Sequence, residues 1–329
     1  MAPRWHPDRL ADRLPRLRRR ARLLDAVRAF FRARGYLEVE TPYAVTAPGE
    51  EVHLRPFATE RIGPDGARTP LYLHTSPEFA MKRLLVGGAG PIFQIARVWR
   101  NGEGGPLHAA EFTLLEWYRP GASLDALIAE THALLRAVLP PIVTCRGVTA
   151  DLSDYERITV AEAFQRHVGA DLLACGEDAE ALAAAAGERL RDGETWEDLF
   201  FRLMLGRIEP HLGQVRPSFL THWPAAQAAL ARRDPADPRV AERFELFLCG
   251  IELANAFVEL TDAAEQRTRF LADRARRAAL YGGADWPLDE DFLAALSHGM
   301  PQAAGIALGF DRLAMIASAA NDISEVMWL

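Results

Sequence analysis

Gly305-Ile306-Ala307-Leu308-Gly309-Phe310-Asp311-Arg312-Leu313 is the stretch whose reading decides the fold. Small residues and aliphatics alternate in it, and the pattern predicts a strand running straight into a helix. Glycines without Cβ at 305 and 309 allow close approach of a ligand or a neighbouring backbone. Arg312 then falls near a helix start, where free N–H groups and a guanidinium can jointly hold phosphate. Alone, a glycine-bearing core strand beside a solvated Arg is the better explanation of the stretch. Its weight comes from other segments that supply complementary chemistry.

The chain has 329 residues, 49% hydrophobic and 25% charged, with a net charge of −7. This balance fits a globular protein and lacks the basic footprint of a general nucleic-acid binder. Arg16, Arg18, Arg19, Arg20 and Arg22 form the one basic run. It reads as the solvated face of a helix. Cys145, Cys175 and Cys249 are widely spaced, so neither a disulfide framework nor a zinc site is indicated. No apolar run approaches the ~20 residues of a membrane span, and no export signal is visible, so a cytoplasmic protein is expected.

Leu14, Leu17, Ala21, Leu24, Arg28 and Phe31 recur at helical spacing and predict a helix over about 15–34, stopped by Gly35. An extended segment over 36–42 should follow. Segments 92–100 and 111–118 predict an antiparallel hairpin whose loop, 101–106, carries three glycines. Residues 123–139 read as a helix and 140–215 as alternating helix and loop. Segments 217–223 and 244–260 read as strands, and 262–281 as a charged helix. Nothing separates two domains, so one catalytic domain over 1–329 is expected. The fold class is α+β, a mostly antiparallel sheet flanked by helices.

Three constellations carry chemistry. Ser76-Pro77-Glu78 opens a helix containing Met81-Lys82-Arg83-Leu84. It reads as an ordinary N-terminal cap or as a carboxylate that holds a substrate amine. In the hairpin, Arg100 could bind a carboxylate and an α-phosphate together, opposite Glu116 and Tyr118. Phe112 could stack a planar base or simply fill the core. Glu245 and Glu252, seven residues apart across a turn at Gly250, could share Mg²⁺. Strict alternation puts Glu252 on the wrong face, and a bulge near Ala254 would bring it round.

Together these segments resemble class II aminoacyl-tRNA synthetases of the lysyl type. Motif 1 would lie at about 16–42, motif 2 at 92–118 and motif 3 at 303–316. Gly250-Ile251-Glu252-Leu253-Ala254-Asn255 followed by Phe257-Val258-Glu259-Leu260-Thr261-Asp262 is close to the lysyl pattern. Only 34 residues precede Gly35, too few for the anticodon-binding barrel of the tRNA enzymes. The chain is therefore similar to the stand-alone catalytic cores that lysylate elongation factor P.

The resemblance implies ATP-dependent activation of lysine or β-lysine as an adenylate. Transfer to a lysine ε-amine of elongation factor P follows, in a homodimer for which tRNA is an unlikely partner. It implies that Arg100 and Arg312 are catalytic. Ser76, Glu78, Tyr118, Glu252, Asn255, Glu259 and Ala307 would bind the amino acid. Arg100, Asn101, Glu103, His108, Phe112, Glu245, Leu246, Gly309 and Arg312 would bind ATP, and Glu245 and Glu252 the Mg²⁺. Departures are Gly102 and Ala109 in the motif 2 loop, where the family has Glu and Asn, so that Glu103 is the candidate replacement acid. Ala256 and Val258 replace a Gly and a polar residue. Ala307 stands where lysyl-tRNA synthetases have Gly, which implies a differently shaped substrate backbone. A tRNA-lysine ligase without its anticodon domain, or a degenerate paralogue acting as a regulatory module, remain the alternatives.

Overall fold

The computed structural model describes residues 3–282 and 286–328. It divides into two compact units, Met1–Ser123 with Glu259–Leu329, and Leu124–Val258.

In the first unit the helix Pro7–Arg32 starts eight residues before the expected position, and Pro15 lies inside it. Pro15 is exposed, and the buried stripe runs through Arg13, Leu17, Arg20, Leu23, Val27, Phe30 and Phe31. The expected stripe was rotated: Ala21 is exposed, while Arg20 is buried. Arg18, Arg19 and Arg22 are solvated as expected. Gly35, at φ +76°, ends the helical run by a conformation that suits only glycine well.

Of the extended segment 36–42 only Leu37–Glu38 pairs, parallel to the start of Ile92–Trp99. Pro42, which lacks an N–H, cannot extend that ladder. Ile92–Trp99 and Glu111–Pro120 form the expected antiparallel hairpin. Ala303–Gly309 adds antiparallel to Glu111–Pro120 and passes directly into the helix Phe310–Ser318. Phe31 stacks on Phe93, ring centres 4.8 Å apart, and meets Trp117 at 5.0 Å. This packing fixes the first helix beneath the hairpin. A smaller sheet of Ala44–Val45, Arg68–Leu73 and Phe57–Ile62 belongs to the same unit. So do the helices Glu78–Val86, Ala263–Tyr281 and Glu290–Gly299.

In the second unit Ser218–Pro224 pairs parallel to Glu156–Thr159 and antiparallel to Val240–Leu248. Val240–Leu248 in turn pairs antiparallel to Ile251–Val258. Cys249 and Gly250, at φ +53° and +68°, form the two-residue turn between the last two strands. The region 140–215 holds helices but also three short strands that helix-and-loop alternation did not anticipate: Ile142–Cys145, Val148–Asp151 and Glu156–Thr159. The first two join through Arg146-Gly147, both with positive φ. Four residues are too few for a period-2 signal to stand out. Phe164, Phe200 and Trp223 anchor the helices of this unit in one core. The fold class is thus α+β, with mixed and mostly antiparallel strand pairing.

Candidate active site

In the first unit, one face of the central strands carries the chemistry. Glu116 lies opposite Ala307, and Tyr118 opposite Gly305. A Cβ at Gly305 would overlap the Tyr118 ring and the Glu259 carboxylate, so glycine here lets those two groups close over the strand. Gly309 is different, since a Cβ there would only rest 3.4 Å from the Arg312 side chain. The Glu259 N–H donates to the Ala303 carbonyl at 2.9 Å, which ties residue 259 to the end of the same strand.

The helix Glu78–Val86 delivers the next groups. Pro77 sits at the cap position itself, one place before the helix. The Ser76 hydroxyl accepts from the Glu78 N–H at 3.0 Å and donates to Glu116 at 2.6 Å. One hydroxyl therefore ties the start of this helix to Glu116. Lys82, one turn on, is 1% exposed; its ammonium lies 2.5 Å from Glu78 and also pairs with Glu259. Tyr118 donates to Glu116 at 3.2 Å.

Burial pushes the Glu116 carboxyl up to about 8, and the neighbouring charge of Glu78 adds to the rise. Burial likewise raises Glu259 to about 8, against the pull of Lys82. Glu78 is raised by the same cause. Two carboxylates, Glu78 and Glu259, thus share one internal ammonium, and Glu116 lies near enough to Glu78 for their charges to act on each other. A cationic ligand would favour the ionised forms of Glu116 and Glu259, which without one keep their protons up to about pH 8.

Arg100, just past the first hairpin strand, places its guanidinium 5.1 Å above the Phe112 ring and 3.7 Å from Glu103. Its Nε is buried with no hydrogen-bond partner among the described residues, which suits an anion-binding role. Phe112 is half-buried against Ala96, Val98 and Leu114. The ring packs as the core reading expects, and Arg100 lies over it. Arg312 donates to the Leu107 carbonyl at 3.2 Å and lies 2.8 Å from His108. This joins the helix start to the far end of the motif 2 loop. Asn101 and His108 are exposed, and Gly102 and Gly105 have φ of +87° and +134°.

A buried network lies beneath these groups. Arg20 pairs with Asp311 and donates to the Thr113 hydroxyl at 2.9 Å, while Asp311 accepts the Thr113 N–H at 2.7 Å. The reading of Arg20 as a solvated charge is therefore corrected. It lies where the first helix meets the hairpin and the strand–helix junction.

In the second unit, Glu245 faces Asn255 across the strand pair. The register shifts between Leu246 and Phe247, and Leu253 is the extra residue, so Glu252 comes to the face of Asn255 as the expected bulge requires. Arg243 donates to Glu245 at 2.7 Å and to Asn255 at 3.1 Å, and its guanidinium stacks 4.3 Å from the Trp223 ring. Burial raises Glu245 to about 8; Arg243 opposes the rise and Glu252 adds to it. Leu246 is fully buried on the opposite face, so it can reach a nucleotide only through its backbone.

No group of three or more His, Cys, Asp or Glu that could hold a metal occurs among the described residues. Glu245 and Glu252 act on each other electrostatically, and such a carboxylate pair is the donor set that Mg²⁺ commonly takes, with phosphate and water completing its shell.

A family model described as tRNA synthetases class II (D, K and N) matches residues 9–329. The chain belongs to the class II tRNA synthetases. Within that family it is similar to the elongation factor P–(R)-β-lysine ligase of Edwardsiella ictaluri (strain 93-146). That relative is 44% identical over 327 residues, 98% of this chain and 96% of the relative. The protein of the same name from Erwinia tasmaniensis is 45% identical over 330 residues, 98% and 96% of the two chains. That from Hamiltonella defensa is 43% identical over 330 residues, 99% and 97%.

On this class II synthetase, the structure gathers Ser76, Glu78, Tyr118, Glu259 and Ala307 in the first unit, and Glu245, Glu252 and Asn255 in the second. Sequence reasoning missed Lys82 and Arg243 and gave Glu116 no role. Each left a signal. Lys82 is four residues after Glu78, on the same helix face. Arg243 precedes Glu245 by two residues in a strand, which puts both on one face.

Proposed function

We propose that this chain activates lysine or (R)-β-lysine with ATP and ligates it to a lysine ε-amine of elongation factor P. The observation that carries the reading is the pairing of Glu78 and Glu259 with the buried ammonium of Lys82, with Glu116 beside Glu78. These carboxyls can ionise against the two ammonium groups of a diamino acid. The relatives' names supply the acceptor and the isomer.

In the first step an oxygen of the amino-acid carboxylate attacks the α-phosphorus. The bond to the β-phosphate oxygen breaks and pyrophosphate leaves. Arg100, with its unpartnered Nε, holds the carboxylate and the α-phosphate and balances the charge that develops between them. Arg312 and the helix start at Gly309 hold the remaining phosphates. Glu245 and Glu252 would hold Mg²⁺, which supplies phosphate charge neutralisation when bound. Arg243 keeps Glu245 and Asn255 oriented. In the second step the neutral acceptor amine attacks the carbonyl carbon. The carbon–oxygen bond to AMP breaks, and the amine proton passes to solvent. No side chain forms a covalent intermediate; orientation and charge do the chemistry.

Ala307 lies opposite Glu116 on the strand face of the amino-acid groups. Its methyl disfavours the α-lysine backbone and favours β-lysine, whose amine is one carbon along. Glu103, 3.7 Å from Arg100, takes the part of the acid absent at 102. The site serves one catalytic domain that pairs with a second copy through motif 1 in the cytoplasm, without tRNA.

The test is incubation of the purified chain with ATP, Mg²⁺, (R)-β-lysine and elongation factor P, followed by intact mass and peptide mapping. The expected result is one added β-lysyl group on a single lysine. Transfer to tRNA in place of elongation factor P would overturn the assignment of the acceptor.

A further inference from the structure

Among the described residues, Lys82 is the cation buried between carboxylates that would receive the substrate amines. Its ammonium joins Glu78, on its own helix, to Glu259, at the end of a different segment, and lies 6.0 Å from the centre of the Tyr118 ring. The Lys82 side chain is 1% exposed and the Glu259 side chain 0%, so this is an internal bridge with no solvent to screen it. Salt bridges of this kind are poor stabilisers, because desolvation cancels much of the attraction. Such a bridge inside a binding site serves better as a gauge of charge and distance. It holds two carboxylates apart at the span of one ammonium. It also balances one of the two carboxylates it bridges, so that the other, with Glu116, is left to ionise against the ligand's ammonium groups.

We propose that Lys82 is a positioning and specificity residue for the activation step. It pins Glu78 and Glu259 so that the site accepts amino acids carrying two ammonium groups and rejects those carrying one. It touches no reacting atom and acts through the two glutamates. The proposal rests on the reading of the chain as a lysine-activating enzyme.

The experiment is ATP–pyrophosphate exchange with wild type, Lys82→Met and Lys82→Arg. Each is assayed with (R)-β-lysine, α-lysine and the mono-ammonium analogue norleucine. Lys82→Met should raise KM for the preferred lysine isomer by about tenfold or more, since removing one partner leaves its buried partners uncompensated. The value of kcat should change much less, and the margin over norleucine should shrink. Added n-butylamine should restore KM in Lys82→Met, whereas n-butanol of similar shape should not. Lys82→Arg should keep kcat and raise KM, because its broader fork moves the carboxylates.

A folded Lys82→Met with wild-type KM would overturn the proposal. So would a loss confined to kcat, or equal rescue by amine and alcohol. If Lys82→Met does not fold, Lys82→Arg decides, and wild-type KM with unchanged discrimination against norleucine would refute it. Failure of wild type to exchange with either lysine isomer would instead refute the lysine-activating reading itself.

Discussion

Arg20→Met should be among the most damaging single changes in this protein, although the residue stands in a run of arginines that looks solvated. Arg20 is 4% exposed and Asp311 1% exposed. Without the guanidinium, Asp311 keeps the Thr113 N–H, 2.7 Å away, as its hydrogen-bond donor among the described residues. Breaking a buried pair from one side costs about 3–5 kcal/mol, most of it the stranded charge. Arg20 also covers the Phe310 ring at 4.9 Å, and Met retains part of that contact. The lower half of the range is therefore expected.

If the stranded charge is the cause, Arg20→Met/Asp311→Asn should be more stable than Arg20→Met alone. The amide carries no charge and still accepts from Thr113. Urea unfolding of the wild type, both single variants and the double variant gives the cycle. Arg312 is the neighbour of Asp311, so the folded fraction of Arg20→Met should also lose exchange activity. A loss below about 1 kcal/mol for Arg20→Met, in the range of exposed pairs, would refute the reasoning. So would a double variant weaker than Arg20→Met.

Three other expectations concern the site. Glu116 and Glu259 hold their protons up to about pH 8 in the folded chain, whereas unfolded glutamates release theirs near 4.3. Between those values the folded state binds more protons, so stability without substrate should fall as pH rises from 5 to 8. The ceiling is about 1.4 kcal/mol per pH unit and carboxyl. Urea midpoints across that window test this, and a flat or rising profile would contradict it. Ala307→Gly should raise kcat/KM for α-lysine more than for β-lysine, by about 1–3 kcal/mol in relative terms; an equal change for both isomers would leave Ala307 a packing residue. Hydrogen exchange over residues 101–110 should slow when ATP binds, because Gly102 and Gly105 leave the loop conformationally free. Unchanged protection would count against Glu103 as the replacement acid.

Much of the site was legible in the sequence because its chemistry follows strand and helix periods. Alternation brought Glu116 and Tyr118 to one face, and the carboxylates embedded in 251–260 required the bulge that the register contains. What stayed hidden were charges whose partners lie far along the chain. Arg20 meets Asp311 across 291 positions, and Lys82 meets Glu259 across 177. Neither separation leaves a periodic trace, and in both cases a charged residue beside other charged residues looked like surface. The first helix was misplaced for a related reason. Pro15 reads as a start signal, yet an exposed proline is tolerated once Leu17, Val27 and Phe31 bury the opposite side. The strands at 142–159 were too short to reveal themselves by alternation, although Arg146-Gly147 marks their turn.

The central claim is that this site forms an adenylate from a diamino acid. ATP–pyrophosphate exchange measures that step without the protein acceptor. Wild type should exchange pyrophosphate in the presence of lysine or β-lysine, stop when EDTA removes Mg²⁺, and lose about 10²–10³-fold in rate on Arg100→Ala, the scale of one preorganised charge donor. No exchange with either isomer, or an Arg100→Ala rate equal to wild type, would contradict the account.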